Sequence, residues 1–329
     1  MCERHSIWFR SRSYSRQLRQ AGTAVIFISH RLEELFAVAD RVTILRDGNY
    51  VGTRDLAGVK TGELIQMMVG RAVDELFPKQ TAPLGDTLLE VKGLTAPGKF
   101  ENVSFALRAG EILGVAGLIG AGRTDVARAL FGIQPVSAGT IAIADQEVAI
   151  HNPRQAMKLG LAFVPEDRQH HGLVLPMSIA ANITLPILSR FTRAGGWMRE
   201  RAAKQVATAA ARKLEVKSAG IGQKASELSG GNQQKVVLAK WLETKPRILI
   251  LDEPTRGIDV GTKAAVHQLM SDLANQGVAI LMISSELPEI LGMSDRILVM
   301  REGHITGEYT RSEATQEKIM ASATAVSPN

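Results

Sequence analysis

Leu228-Ser229-Gly230-Gly231-Asn232-Gln233-Gln234 and, further along, Ile248-Leu249-Ile250-Leu251-Asp252-Glu253-Pro254-Thr255 decide how this chain is read. The first is a glycine-rich turn leading into a helix. The backbone N–H groups there sit at the positive end of the helix dipole and can grip a polyphosphate. The second is four apolar residues ending abruptly in two acids. That pattern predicts a buried strand that delivers carboxylates at its C-terminal tip, where open parallel sheets place their ligands.

Working outward, Ile112-Leu113-Gly114-Val115-Ala116 predicts a strand running straight into Gly117-Leu118-Ile119-Gly120-Ala121-Gly122-Arg123-Thr124. This loop has the phosphate-loop spacing G-x4-G-[K]-[ST], with Arg123 in the lysine place. A helix from Asp125 to Phe131 follows, stopped by Gly132. Leu161–Val164 predicts another buried strand, with Glu166 at its tip. Residues 176–225 read as mostly helical, Ala202–Leu214 most clearly. After Asp259 a helix carries Val266, Leu269, Met270 and Leu273 on one face. Val278–Ile283 is the last strand and leads to Ser284-Ser285.

A length of 329 residues allows about two domains. With 45% apolar and 22% charged residues the chain builds a globular core rather than a disordered one. The single cysteine, Cys2, excludes a disulfide framework. The longest uncharged run, Gly172 to Ser189, is broken by Pro176 and Pro186 and too polar to span a membrane. The first twenty residues are arginine-rich and lack the apolar centre of a secretory signal. They carry a net +4, leaving +2 of the total +6 for the rest, so no basic nucleic-acid face is expected. His5, His151, His170, His171, His267 and His304 have no metal-ligand spacing and read as surface residues.

The chain also repeats itself. A shift of 255 residues sets Gly22–Thr53 against Gly277–Glu308 with 11 of 32 positions identical, including Ser29/Ser284, Asp40/Asp295, Arg41/Arg296 and Gly48/Gly303. Within the first copy, Ala24–Ile28 reads as a buried strand before Ser29-His30, and Asp40–Gly48 as a strand entering a hairpin turn.

Together, the two opening stretches resemble the signature motif and Walker B strand of the ATP-binding-cassette (ABC) ATPases. Gln233-Gln234-Lys235 and Thr255-Arg256-Gly257-Ile258-Asp259 narrow this to the second ATPase domain of double-cassette subunits in bacterial sugar importers of the ribose, galactose and xylose type. The resemblance covers residues 17 to about 320. It implies an α/β P-loop NTPase of the ABC ATPase type with a helical subdomain. On this reading residues 1–16 are unstructured, the product of a frame shift or internal start. Residues 17–77 are the C-terminal remnant of a first cassette and 78–87 a linker. Residues 88–310 form a second cassette with its helical subdomain at about 176–225, and 311–329 a loose tail.

The same resemblance implies ATP and Mg²⁺ as cofactors. Gly117, Gly120, Ala121 and Gly122 would wrap the phosphates beside Arg123. Thr124 and Asp252 would hold the metal and Glu253 would polarise the attacking water. Glu166 stands where the family has a metal-sensing glutamine, and Ser285 where it has the switch histidine. Signature residues Ser229, Gly230 and Gly231, with His30, would serve the opposite site, and the D-loop residue Asp259 would couple the two. Arg123, Glu166, Ser285 and a short Leu94–Phe100 region that offers no clear aromatic for stacking on adenine all fall in one pocket. The isolated chain is therefore expected to hydrolyse ATP weakly or not at all.

The expected role is the ATP-binding subunit, in part, of an importer for a monosaccharide or similar small carbohydrate, on the cytoplasmic face of the bacterial inner membrane. Its expected partners are transmembrane permease subunits, a periplasmic sugar-binding protein reached through them, and another ATPase domain. The alternative is a hydrolysis-incompetent cassette that binds nucleotide and permease with a structural or regulatory role. A soluble ABC protein acting on ribosomes or DNA is disfavoured by the sugar-type motifs and the lack of a basic patch.

Overall fold

The computed structural model describes residues 17–18, 20–28, 32–46, 48–59, 61–69, 77–192 and 197–324. Residues 1–16 and the Ser29-His30 pair lie outside these. The chain divides into two compact units. One runs to Leu76 and includes Asp259–Ala264; the other takes Phe77–Ile258 with Ala265 onward.

The first unit holds helix α1 (Leu32–Val38), strands β1 (Arg41–Arg46) and β2 (Asn49–Asp55), and helix α2 (Thr61–Val69). Alternation along β1 turns Val42 and Ile44 inward, onto Leu35, Leu56 and Leu64. β1 and β2 pair antiparallel from Arg41↔Asp55 to Arg46↔Asn49, with a bulge between Ile44 and Leu45. Ala24–Ile28 is not the buried strand its sequence predicts: it forms no strand, and Ile26 and Ile28 are 92% and 93% exposed. A parallel strand of this composition is buried only between neighbours on both edges, and the described residues of this unit supply none.

The second unit begins with antiparallel strands β3 (Thr87–Ala96) and β4 (Phe100–Arg108). Then come β5 (Ile112–Gly117), α3 (Arg123–Leu130), β6 (Ala138–Ile143), β7 (Gln146–Val148), α4 (Pro153–Lys158) and β8 (Leu161–Val164). A helical stretch follows: α5 (Ile179–Thr184), a 3-10 segment Leu185–Phe191, and α6 (Glu200–Lys213). The chain continues through α7 (Gly230–Leu242), β9 (Ile248–Asp252), α8 (Val260–Asn275), β10 (Ala279–Ile283), α9 (Leu287–Met293), β11 (Arg296–Arg301), β12 (His304–Thr310) and α10 (Gln316–Thr324).

Six strands form the central sheet in the order β12-β11-β5-β10-β9-β8, parallel except for β12. Its middle strands are continuous apolar runs because both faces are covered. Leu249, Leu251, Ile280 and Met282 face a core shared with α5, α7, α8 and α9. Ile248, Ile250, Leu281 and Ile283 face the opposite core, filled by α3 and the four-stranded antiparallel sheet β4-β3-β6-β7. In the helical stretch, Ala203, Ala207, Ala210 and Ala211 give α6 a flat buried face that admits α5 and α7 closely. The β11–β12 hairpin repeats β1–β2 in detail: Arg296↔Thr310 and a bulge between Val299 and Met300 each fall 255 residues on. Among the described residues no helix is long and apolar enough to cross a membrane.

Two boundary expectations need correction. Residues 311–324 are not a loose tail: α10 buries Ile319 and Ala323 in the main core, and the Tyr309 hydroxyl lies 2.6 Å from Ser322 Oγ. The apolar pair, one helical turn apart, is hidden in sequence by the polar residues around it. Likewise the 78–87 stretch is no free linker. Lys79 Nζ pairs with Asp295 at 2.9 Å, the Gln80 N–H donates to Ser271 Oγ at 2.9 Å, and Ala82 is buried.

Candidate functional site

The glycine loop leaves β5 through a Gly117 with φ of +151°, where a Cβ would lie 2.3 Å from the Met300 carbonyl oxygen. It enters α3 through Gly122, left-handed at φ +93° and packed against the Lys99 carbonyl. No other residue fits either position without strain. Ala121 is buried beneath the loop, its N–H bonded to the Leu118 carbonyl. The first turn of α3 therefore presents its backbone N–H groups to the space above the loop.

Asp252 ends β9 in register with Ile283 of β10. It is 1% exposed, and neither carboxylate oxygen has a hydrogen-bond partner among the described residues. Burial pushes its pKa up to about 6; the Thr124 hydroxyl, facing it outside proper hydrogen-bond geometry, and the Arg123 charge hold it from rising further. An orphaned buried carboxylate facing a hydroxyl at the head of α3 is a donor set that suits a hard divalent cation. Glu253 follows in the left-handed region at φ +50°, a strained conformation for a side chain-bearing residue. Burial raises its pKa, while the Ser285 N–H and hydroxyl and the Arg123 charge pull the other way. The Ser285 hydroxyl donates to Glu253 Oε2 at 3.0 Å.

Arg123 turns inward. It is 8% exposed, its Nη1 donates to the Ser284 carbonyl at 2.6 Å, and its Nη2 lies 3.7 Å from Glu253 Oε1. Burial lowers its pKa, partly offset by Glu253 and Asp252. A lysine would offer a point charge there; the guanidinium instead ties the glycine loop to the exits of β9 and β10. Glu166, expected to add negative charge near the phosphates, is paired with Arg256. Its charge is therefore compensated, and Arg256 is a neighbour that the motif reading did not single out. Phe100 is buried and offers no ring to a ligand.

The other predicted residues have their own partners. Ser229, exposed, caps α7 and its Oγ accepts from Asn232 Nδ2 at 2.9 Å. Gly230 has no room for a side chain, because a Cβ would lie 2.6 Å from Arg168 Nη2; Gly231 is buried. Asp259 bonds its own helix, accepting from the Thr262 N–H at 2.9 Å and hydroxyl at 2.8 Å. Partial burial raises its pKa, but those two bonds bring it below the usual range. His30 lies outside the described residues.

The histidine reading needs one correction. His267 is not on the surface: it is buried on α8 and bonded to Glu289 at 2.6 Å. Its place three residues before Met270, on the margin of the apolar face of α8, was the available signal.

A family model described as "ABC transporter" matches residues 100–256. A ribose import ATP-binding protein of Streptomyces avermitilis is 56% identical over 313 residues, 94% of this chain and 61% of that protein. Another from a Jannaschia species is 49% identical over 312 residues, covering 95% and 60% respectively. The chain thus spans about three-fifths of the length of the curated relatives it matches. Among solved structures, an ATP-binding cassette of an ABC transporter superposes with a TM-score of 0.61 at 22% identity, covering 73% of this chain and 99% of that one. A nucleotide-free cassette gives 0.60 at 19% identity, covering 73% and 100%. The family match opens at β4 and closes just past Glu253, over the layers that carry the glycine loop, and the solved cassettes share the fold of these layers.

Proposed function

We propose that this chain is the second-cassette part of the ATP-binding subunit of a double-cassette importer for a monosaccharide or similar small carbohydrate. Residues up to about 77 are then the end of a first cassette, a reading supported by the β1–β2 hairpin with its register and bulge repeated 255 residues on. Its partners are transmembrane permease subunits, a periplasmic sugar-binding protein beyond them and a further ATPase domain. It works at the cytoplasmic face of the inner membrane. The observation that carries the site reading is the buried, unpartnered Asp252 carboxylate at the tip of β9, facing Thr124 of the glycine loop.

In this reading Gly117, Gly120, Ala121 and Gly122 shape a loop whose N–H groups bind the nucleotide phosphates. Thr124 and Asp252 would hold Mg²⁺, which would supply charge neutralisation at the nucleotide phosphates. Glu253 orients the attacking water and Ser285 orients Glu253. Glu166 is kept neutralised by Arg256. Hydrolysis at this pocket is slow because Arg123 is engaged by the Ser284 carbonyl and stands off the loop, and because Ser285 replaces a histidine. Ser229, Gly230, Gly231 and His30 complete the opposite site, and Asp259 couples the two.

The test is steady-state ATP hydrolysis by the purified chain, alone and mixed with an intact first cassette from a relative. Activity that appears only in the mixture supports a signature helix working in trans. Robust activity from the chain alone would overturn the weak-pocket reading.

A further inference from the structure

Behind the nucleotide site lies a polar cluster that nothing above uses. Glu289, on α9, is 1% exposed yet accepts three hydrogen bonds from three separate places in the fold. Thr255 Oγ1, two residues past Glu253, donates to its Oε1 at 3.0 Å. His267 Nε2 on α8 lies 2.6 Å from the same oxygen. Ser284 Oγ donates to its Oε2 at 2.5 Å and in turn accepts the Glu286 N–H at 3.0 Å. All four side chains are at most 3% exposed. The Phe77 ring packs against the His267 ring with centroids 5.1 Å apart.

A buried carboxylate with a histidine partner is weak evidence of stabilisation, because an apolar group of similar volume often serves a core as well. Its partners point to another role. Thr255 and Ser284 belong to the segments that leave β9 and β10, the same two that carry Glu253 and Ser285. The Ser284 residue is used on both sides: its hydroxyl holds Glu289, its carbonyl holds Arg123. The internal repeat adds an independent sign. Ser29/Ser284 and Glu34/Glu289 are identical in the two copies, while the residue after the serine changes from His30 to Ser285. Burial raises the Glu289 carboxyl, but His267 and the two hydroxyls bring it below the usual range, so the clamp is a charged one.

We propose that Glu289 is a positioning residue for the nucleotide site: it clamps the exits of β9 and β10 so that Glu253, Ser285 and the Ser284 carbonyl on Arg123 keep one arrangement. The proposal rests on the nucleotide reading of the site, and its test separates the two.

Glu289→Gln and Thr255→Val weaken or remove clamp bonds at nearly constant volume, while Thr255→Ser keeps the hydroxyl. Backbone hydrogen exchange and the affinity for trinitrophenyl-ATP with Mg²⁺ are measured on the full chain. In Glu289→Gln and Thr255→Val, exchange at Glu253–Arg256 and Ser284–Glu286 rises about tenfold with β5 and β11 unchanged, and affinity falls about tenfold, as for loss of one hydrogen bond to a charged group. Thr255→Ser behaves as the unaltered chain. Unchanged local exchange, or a uniform rise across the cassette with a lower melting temperature, overturns the clamp. Should Glu289→Gln not fold, the Thr255 pair decides. If the unaltered chain binds no analogue, the nucleotide reading fails, and the exchange data still judge the clamp.

Discussion

At the scale of single residues, Asp252 is the sharpest expression of the site. Its carboxyl is raised to about 6 by burial, which outweighs the opposing pull of Thr124 and Arg123. The sign follows from linkage. A folded-state pKa above the unfolded value gives stability that is full below about pH 4 and is lost as pH rises through about 6. Without metal, Asp252→Asn therefore removes a fall of on the order of 3 kcal/mol between those limits, read by denaturant titration of both proteins across pH. A divalent cation and a proton compete for the same oxygens, so the rise in melting temperature caused by Mg²⁺ shrinks below pH 6. A rise independent of pH, or untouched by Asp252→Asn, would place the metal elsewhere. Arg123 teaches the complementary lesson. Its charge matches the motif, but its length and planar head carry it past the loop to the Ser284 carbonyl, 161 residues away in sequence.

Among elements, α10 and the 77–86 strap show how weakly composition marks a docked segment. Both are polar, and each is held by a few buried contacts: Ile319 and Ala323 for the helix, Lys79 and Ala82 for the strap. Ile319→Ala removes a fully buried side chain and costs about 3 kcal/mol, seen as a drop of roughly 10 °C in melting temperature. A surface-like change of under about 0.5 kcal/mol would mean the helix does not dock. The glycine loop is an element defined by backbone rather than side chains. Gly122→Ala meets both a left-handed φ and the Lys99 carbonyl 2.8 Å away. It is expected to abolish analogue binding while the far-UV circular dichroism stays unchanged.

For the whole molecule, the two units carry separate hydrophobic cores, one around Leu35, Ile44 and Leu64 and the other on both faces of the central sheet. A fragment beginning at Phe77 keeps the second of these intact. It is expected to unfold cooperatively in urea, with the long strap still protected from proteolysis by its bonds to Ser271 and Asp295. The asymmetric reading of the sites also belongs at this scale. If the proposed role holds, Glu253→Gln in this chain lowers sugar uptake by the assembled importer only slightly, whereas the same change at the glutamate of the proposed first cassette abolishes it. Equal losses from both would contradict the asymmetry.

Three things were determined by the sequence alone. The strand, glycine loop and helix from Ile112 to Leu130, the acid-tipped strand Ile248–Asp252, and the 255-residue repeat are local patterns of periodicity, φ requirement and spacing, and a short window contains everything that sets them. Partnership across the fold was decided only by the tertiary structure. Ala24–Ile28 and Ala279–Ile283 are closely matched runs. The second is buried between β5 and β9, while the first lies exposed with no flanking strand among the described residues. The pairing of Glu166 with Arg256, the inward turn of Arg123 and the burial of His267 on Glu289 were equally illegible. A side chain's charge is written in its own letter, but the groups that desolvate or neutralise it arrive from distant segments, and only folding brings them into contact.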